Sequence, residues 1–327
     1  MKAIVQDRYG TADVLEFRDI GKPVADGDED VLVRVHAAGV DAGAWHLMTG
    51  LPYPVRLMGF GLRRPKHPVR GWDFAGTVEA VGGRVTRFRP GDEVFGTSDG
   101  SWAEYTCTRA DRIAPKPPGV TFEQAAVLPA SGCTALQALR DAGKVRQGQQ
   151  ILVIGAGGGV GTYAVQLAKN VYGATVTGVC GGPAKAELVR SLGADHVIDY
   201  TREDFTEAGR RYDLILDTAG NRPLSRLRRA LAPRGTVVLV GGEEGGKLLG
   251  GMQRNLAGAV LSLFGGQNFR GLMAAAAPED LQFLAERTAV GEIAPVITRT
   301  YPLSDAADAV RHWERGHMRG KLVITVQ

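Results

Sequence analysis

The 327 residues predict an α/β protein: a doubly wound parallel sheet, with a second, β-rich domain drawn from both ends of the chain. Three observations predict it. Residues 150–169 read as a buried strand, a glycine turn and a helix, the order that a dinucleotide-binding βαβ unit requires. Beyond them, strand 175–179, helix 184–192 and strands 196–198, 214–217 and 236–240 continue the alternation that builds a doubly wound sheet. The final strand, 321–326, has no partner in a sheet already complete, so it is expected to return to the N-terminal strands and make their domain discontinuous. The length also exceeds one typical core, which makes two domains the expectation.

The glycine turn is the stretch the rest of the chain serves. Strand 151–154 is a continuous apolar run rich in β-branched residues, which suits a parallel strand covered on both faces. Gly155, Gly158 and Gly161 follow, and Ala156, Gly158 and Gly161 form an A-x-G-x-x-G variant of the dinucleotide fingerprint. Small residues there permit a tight turn, close approach of backbone to a pyrophosphate and close packing of helix on strand. The helix carries Val165, Leu167 and Ala168 inward, and its first residues, Gly159 and Val160, offer free N–H groups to phosphate. A flexible turn would also be glycine-rich, but the repeated βαβ context around this one favours a nucleotide.

Taken in order, residues 2–6, 15–19 and 30–38 look like strands, the last alternating Val31, Val33 and Val35 against Leu32, Arg34 and His36. A short helix over 41–50 precedes a loop, 51–70, rich in proline, glycine and arginine. β character resumes over 71–81 and 102–109, with turns at Gly82-Gly83, Pro90-Gly91-Asp92 and Ser98-Asp99-Gly100. Three prolines within Pro115-Lys116-Pro117-Pro118 resist helix and sheet alike and mark a stiff boundary. Thr121 with Gln124 has capping-box spacing, and a helix is expected over 134–142. Residues 241–271 are glycine-rich around an apolar segment, 256–264, and stay unassigned. Helices are expected over 278–291 and 304–314, the second with Ser304 as N-cap.

The totals exclude several classes. A hydrophobic fraction of 44% is ordinary for a globular protein. The net charge of +4 comes from 39 basic and 35 acidic residues interspersed along the chain, mild basicity that is compatible with an anionic cofactor and insufficient to argue for nucleic acid, so no nucleic-acid partner is expected. No apolar stretch is long enough to span a bilayer, so a cytoplasmic protein is the default expectation. Cys107, Cys133 and Cys180 lie far apart without a C-x-x-C pair, which indicates neither a disulfide framework nor a zinc knuckle. Cys133 stands just before the expected helix 134–142 and is read as packing.

Several collinear motifs resemble the medium-chain dehydrogenase/reductase superfamily, within it the zinc-independent quinone oxidoreductase and enone reductase branch. They are Ala38-Gly39-Val40-Asp41, Gly71-Trp72-Asp73-Phe74-Ala75-Gly76, Arg89-Pro90-Gly91-Asp92-Glu93-Val94-Phe95, Ala103-Glu104-Tyr105, Ala126-Val127-Leu128-Pro129, the turn from Gly155 to Gly161, and Gly320-Lys321-Leu322-Val323. The resemblance implies a GroES-like catalytic domain from residues 1–120 and 292–327, a Rossmann domain from 121–291, and catalysis in the cleft they share. It also implies a homodimer. Zinc-dependent members carry a cysteine after the Gly-Val pair and His-Glu after the next glycine; here Asp41 and Trp72-Asp73 stand in those places, so no metal is expected.

Within that resemblance, Asp41 lies where relatives often carry Asn, and His46 where a lysine often follows tryptophan. His46 has an unperturbed pKa near neutrality and is a candidate proton relay, with a capping or surface role as the alternative. Tyr53 either bonds a substrate carbonyl or packs. Trp72 reads as pocket wall or core, and the charges Arg56, Arg63, Arg64, Lys66 and Arg70 as a solvated loop, with attraction of anionic substrates or gating of the cleft as the alternative. On the cofactor side, Thr218 and Ala219 after one strand, and Val240, Gly241 and Gly242 after another, should face the nucleotide, because ligands bind outside the carboxyl ends of parallel strands. Thr134 is counted with them.

The second strand of the unit ends Val179-Cys180-Gly181-Gly182, without the carboxylate that holds a ribose 2′-hydroxyl in NAD-specific domains. Related quinone reductases use a lysine and a tyrosine at the separation of Lys185 and Tyr200 for a 2′-phosphate, often with a hydroxyl residue where Gly181 stands. NADPH is therefore the expected cofactor. The expected activity is reduction of quinones or α,β-unsaturated carbonyl compounds, because without a metal an already electrophilic substrate is the easier hydride acceptor. A metal-free ketone or secondary-alcohol oxidoreductase and a non-catalytic NADPH-binding protein are the alternatives.

Overall fold

The computed structural model describes residues 1–207, 209–241, 246, 248–263, 265–316 and 318–326. The chain divides into two compact units, Met1–Cys133 with Ala275–Gly291 and Pro295–Gln327, and Thr134–Ala274 with Glu292–Ala294.

The first unit begins with β1 (Lys2–Val5), antiparallel to β2 (Glu16–Asp19). Its spine is β3 (Asp30–Val40), whose alternating Val31, Val33 and Val35 are all buried, as period-two patterning dictates. After α1 (Ala42–Thr49) come β4 (Asp73–Val81), β5 (Glu93–Thr97), β6 (Tyr105–Arg109) and β7 (Ile113–Pro115), then α2 (Phe122–Ala125) and α3 (Pro129–Gln137).

The second unit runs β8 (Gln150–Ile154), α4 (Gly159–Gln166), β9 (Thr175–Cys180), α5 (Pro183–Ser191), β10 (His196–Asp199), β11 (Tyr212–Asp217), α6 (Leu224–Ala230), β12 (Leu231–Leu239), α7 (Met252–Ser262) and β13 (Asn268–Gly271). The chain then returns to the first unit through α8 (Pro278–Ala289), β14 (Ile297–Pro302), α9 (Ala306–Glu314) and β15 (Lys321–Thr325).

The seven-stranded sheet of the first unit has the order β14-β15-β3-β4-β5-β7, with β6 also paired to β3. Strand β15 lies antiparallel to β3, with Leu322 opposite Val40 and Ile324 opposite Ala38, so the C-terminal strand does return to the N-terminal sheet. The core there is Val33, Val35, Phe74, Trp102, Leu322, Ile324 and their neighbours. In the second unit every pairing is parallel and the order is β10-β9-β8-β11-β12-β13. Ile151, Leu152, Val153 and Ile154 of its central β8 are all buried, the continuous apolar run that a sheet covered on both faces requires. Strand order reverses between β8 and β11, which opens a crevice at their carboxyl ends. Val165, Leu167 and Ala168 point into the interior as the turn-and-helix pattern predicts.

Two local expectations are corrected, and two stretches without an assignment gain elements. Helix α3 starts at Pro129, five residues before the expected 134, because proline is preorganised for a first helical position and tertiary packing overrides the poor propensity of Gly132. A Cβ on Gly132 would stand 2.9 Å from Leu284 Cδ1, so the glycine lets α8 approach. Cys133 is therefore a buried mid-helix residue and not a helix-start thiol. Ser304 does not cap α9; it sits in the 3-10 turn Leu303–Asp305 and its hydroxyl donates to Asp305 Oδ1 at 2.9 Å. The unassigned stretch 241–271 supplies α7 and the sixth strand β13, and β14 is a further strand that no alternation announced. Thr121 and Gln124 do form the reciprocal capping box. Among the described residues no helix is long and apolar enough to cross a membrane.

The turn after β8 separates two glycines physically. A Cβ on Gly161 would meet Gly155 O at 2.1 Å and Ala156 Cα at 2.7 Å, whereas one on Gly158 finds its nearest neighbour, Gly155 O, at 3.4 Å. Gly161→Ala is expected to lose about 1–3 kcal/mol of stability, the range for overpacking against atoms that cannot yield. Gly158→Ala should lose under about 1 kcal/mol, as at an N-cap that trades glycine for alanine. Urea unfolding of both variants measures the contrast, and equal losses would refute this division of labour.

Candidate active site

At the carboxyl end of the parallel sheet, β8 runs into Gly155, whose φ of +82° suits glycine. The N–H groups of Gly155 and Ala156 both donate to Val179 C=O at 3.0 Å, and Gly158 N–H donates to Gly155 C=O at 3.0 Å, which closes the turn. Helix α4 then starts with Gly158 as an N-cap that has no side chain to cap it, so the first-turn amides of Gly159, Val160 and Gly161 are offered to a ligand. The Thr218 hydroxyl donates to Ile154 C=O at 2.7 Å. A Cβ on Gly155 would be 2.5 Å from that oxygen, and one on Gly241 would be 2.4 Å from Thr218 C=O. Gly155, Ala156, Thr218, Ala219 and Gly241 are thus brought together, with Val240 and Gly241 N–H both held by Asp217 C=O. Gly242 lies outside the described residues, and Thr134 is half-buried within α3.

The end of β9 is built around an aromatic ring. A Cβ on Gly181 would stand 2.7 Å from Tyr200 Cζ and Oη, so the ring fills the space a side chain at 181 would take. The stem of Lys185, in the first turn of α5, lies 3.3 Å from the position of a Cβ on Gly157 and so runs along the glycine turn. The nearby carboxylate, Asp199 at the end of β10, is already engaged: its Oδ1 accepts from Gly182 N–H, Thr201 N–H and the Thr201 hydroxyl. These bonds hold it below the usual carboxylate range. An open face at Gly158, an uncapped helix start and a lysine along the turn fit the pyrophosphate of a dinucleotide.

In the first unit, Asp41 caps α1 by accepting Ala44 N–H at 2.9 Å on Oδ1. Its other oxygen lies 3.7 Å from Lys321 Nζ, which is 3.9 Å from Asp73 Oδ2. All three are buried, with Lys321 at 3%, Asp41 at 8% and Asp73 at 0% exposure. Both oxygens of Asp73 accept the N–H of Ala130 in the first turn of α3, at 3.1 and 3.0 Å. Burial first, and then the charge of Asp41, pushes the Asp73 carboxyl well above its usual range; Lys321 and the Ala130 N–H oppose this without cancelling it. An ammonium thus lies beside the two buried carboxyls of Asp41 and Asp73, and its charge would repel a metal cation. Among the described residues no group of three or more His, Cys, Asp or Glu is arranged to hold a metal ion.

His46 on α1 donates from Nδ1 to Leu51 C=O at 2.6 Å, so that in the neutral ring the lone pair would lie on Nε2. Tyr53 is 45% exposed, with the Arg56 guanidinium 5.0 Å from its ring centroid. The expectation of a uniformly solvated charged loop is corrected at two positions. Arg56 donates to Gly50 C=O at 2.9 Å and stacks on Tyr9 at 4.3 Å. Arg70 is 5% exposed, donates to Leu47 C=O at 3.2 Å, and is pushed by burial down to about 10. Arg63, Arg64 and Lys66 are exposed as expected. Trp72 is half-buried under the Arg112 guanidinium, 5.0 Å from its ring centroid. Lys321 is the residue that sequence reasoning missed as part of a site: a lysine opening a terminal strand reads as solvated, and only the pairing with β3 buries it.

Residues 27–118 match the alcohol dehydrogenase GroES-like domain family, and residues 192–324 the zinc-binding dehydrogenase family. The chain is 34% identical to the protein named NAD(P)H oxidoreductase RTN4IP1, mitochondrial, of Mus musculus, over 100% of this chain and 89% of that one. It is also 34% identical to the NADPH-dependent alkenal/one oxidoreductase, chloroplastic, of Arabidopsis thaliana, over 99% of this chain and 79% of that one. Among solved structures, the quinone oxidoreductase from Coxiella burnetii superposes with a TM-score of 0.87 at 30% identity, covering 100% of this chain and 99% of the other.

The raised pKa of Asp73 has a signed consequence for stability. A carboxyl that binds its proton more tightly folded than unfolded contributes stability that is full below its unfolded pKa of about 4 and is lost as pH climbs through its folded pKa. Asp73→Asn, which cannot ionise, should therefore flatten the decline of unfolding free energy as pH rises above about 4, the unfolded carboxylate value. Urea titrations of both proteins across that range measure it; parallel curves would mean that Asp73 does not hold the proton.

Proposed function

The chain belongs to the medium-chain dehydrogenase/reductase superfamily, in its zinc-independent branch, and from that premise we propose that it is an NADPH-dependent reductase of quinones or α,β-unsaturated carbonyl compounds. The observation that carries this reading is the buried Lys321 ammonium beside Asp41 and Asp73, which puts a fixed cation where a catalytic metal would otherwise be held. Without a Lewis acid, a substrate must already be electrophilic to accept hydride. When bound, the reduced nicotinamide supplies that hydride.

In this reading the amides at the start of α4 hold the pyrophosphate, and Gly155, Thr218 and Gly241 shape the floor beneath it. Lys185 and Tyr200 hold the 2′-phosphate. Asp41 positions: it caps the helix that carries His46. With Nδ1–H bonded to Leu51 C=O, a neutral His46 presents only an acceptor at Nε2, so it gives up a proton only from its imidazolium form. Tyr53, exposed, has a hydroxyl available to a carbonyl oxygen.

The experiment is stopped-flow oxidation of NADPH against a quinone, an enone and a ketone. Turnover of the quinone or the enone is the expected result. Turnover of the ketone alone would favour a ketone reductase, and tight NADPH binding with no turnover would make the protein a non-catalytic binder. For the cofactor, Lys185→Ala should weaken NADPH binding by ~1.5–3 kcal/mol, the worth of a hydrogen bond to a charged group, and leave NADH nearly unchanged. Fluorescence titration reads both, and a wild-type preference for NADH would overturn the NADPH assignment.

A further inference from the structure

The loop that follows β11 brings a second cation to the ring that covers Gly181. The Arg222 guanidinium lies with Cζ 5.3 Å from the Tyr200 ring centroid, and its Nε is shut away from solvent with no hydrogen-bond partner. No carboxylate pairs with it among the described residues. The loop that presents it is held firmly: Asp217 Oδ1 accepts Gly220 N–H at 3.0 Å, and Asp217 Oδ2 pairs with Arg254 Nη2 at 2.6 Å. The same Arg254 nitrogen donates to Arg222 C=O at 2.5 Å. Asp217 is thereby engaged by Arg254 and the Gly220 amide, as Asp199 is by Gly182 and Thr201; Asp204, the other carboxylate that feels the charge of Arg222, is ion-paired to Arg226 at 2.8 Å and accepts from the Thr206 amide and hydroxyl, so among the described residues Arg222 has no ion-pair partner of its own.

An arginine whose face is stacked on an aromatic ring keeps its edge free, and a guanidinium edge presents paired N–H donors at the spacing of phosphate oxygens. Position 181 is a glycine and supplies no hydroxyl, and the Tyr200 ring fills the space that a side chain there would take. We propose that Arg222, stacked on Tyr200, is a specificity-determining residue of this site, donating to the 2′-phosphate of the cofactor as a second cation beside Lys185. This rests on the reading of the protein as NADPH-dependent. It extends that reading to a residue twenty-two positions beyond Tyr200, on a different strand end.

The test uses the full chain and two nucleotides without a nicotinamide, 2′,5′-ADP and 5′-ADP, with affinities from isothermal titration calorimetry. Wild type should prefer 2′,5′-ADP. Arg222→Met, which keeps the stem against Tyr200, should lose 2′,5′-ADP affinity by roughly tenfold or more, the scale of a charged hydrogen bond, while 5′-ADP stays within about twofold. Arg222→Lys retains charge without the fork and should fall between the two; it serves as the test if the methionine variant does not fold. An unchanged preference in the variants overturns the role of Arg222 and leaves the NADPH reading standing. Equal loss of both nucleotides also overturns it, because the residue would then serve the adenosine or the loop. A wild type that does not discriminate between the nucleotides removes the NADPH reading and this inference together.

Discussion

A buried ammonium beside two carboxyls is the constraint on which the first unit depends. Lys321 opens β15, Asp41 ends the turn from β3 into α1, Asp73 opens β4, and the Ala130 amide that Asp73 accepts opens α3. Four elements from distant parts of the chain meet at charges removed from water. Burying ions costs several kcal/mol each unless partners compensate, so removing any one member leaves the others exposed to that cost. The arrangement also balances awkwardly, with two acids against one base. Retaining a proton on Asp73 relieves the excess, which is the physical sense of its raised pKa.

The second unit depends on something simpler, the absence of side chains where strands end. Gly155, Gly161, Gly181 and Gly241 are each packed so closely that a methyl group would collide with backbone or with a fixed ring or hydroxyl. Gly158 is the exception in the turn, open on the face where the uncapped helix begins. Packing glycines set the shape of the turn, and the open one leaves room for a phosphate beside the helix dipole. The positive charge at this edge comes from separate segments, Lys185 on α5 and Arg222 after β11, both gathered around strand ends by the parallel topology.

Much of this was legible in advance. The parallel sheet could be read from continuous apolar runs such as 151–154, because burial on both faces leaves no polar position in such a strand. The capping box at Thr121 is local chemistry and needed no tertiary information. Ser304 failed for the complementary reason: its hydroxyl found a nearer partner in Asp305, and a cap motif does not reveal such competition. Helix α3 began early because α8 packs against Gly132, a contact between residues far apart in sequence.

The sequence by itself determined the alternation of strands and helices from β8 to β12, the glycine turn, the return of the last strand and the lack of a carboxylate after β9, since each is written in local spacing or residue type. Only the tertiary structure decided that Lys321 and Arg70 are buried, that Tyr200 closes over Gly181, and that Arg222 lies on Tyr200. The reason is physical. Hydrophobic periodicity reports which face of an element is covered, whereas a charged residue is placed by what the other elements bring to it, and that is fixed only when the sheets assemble.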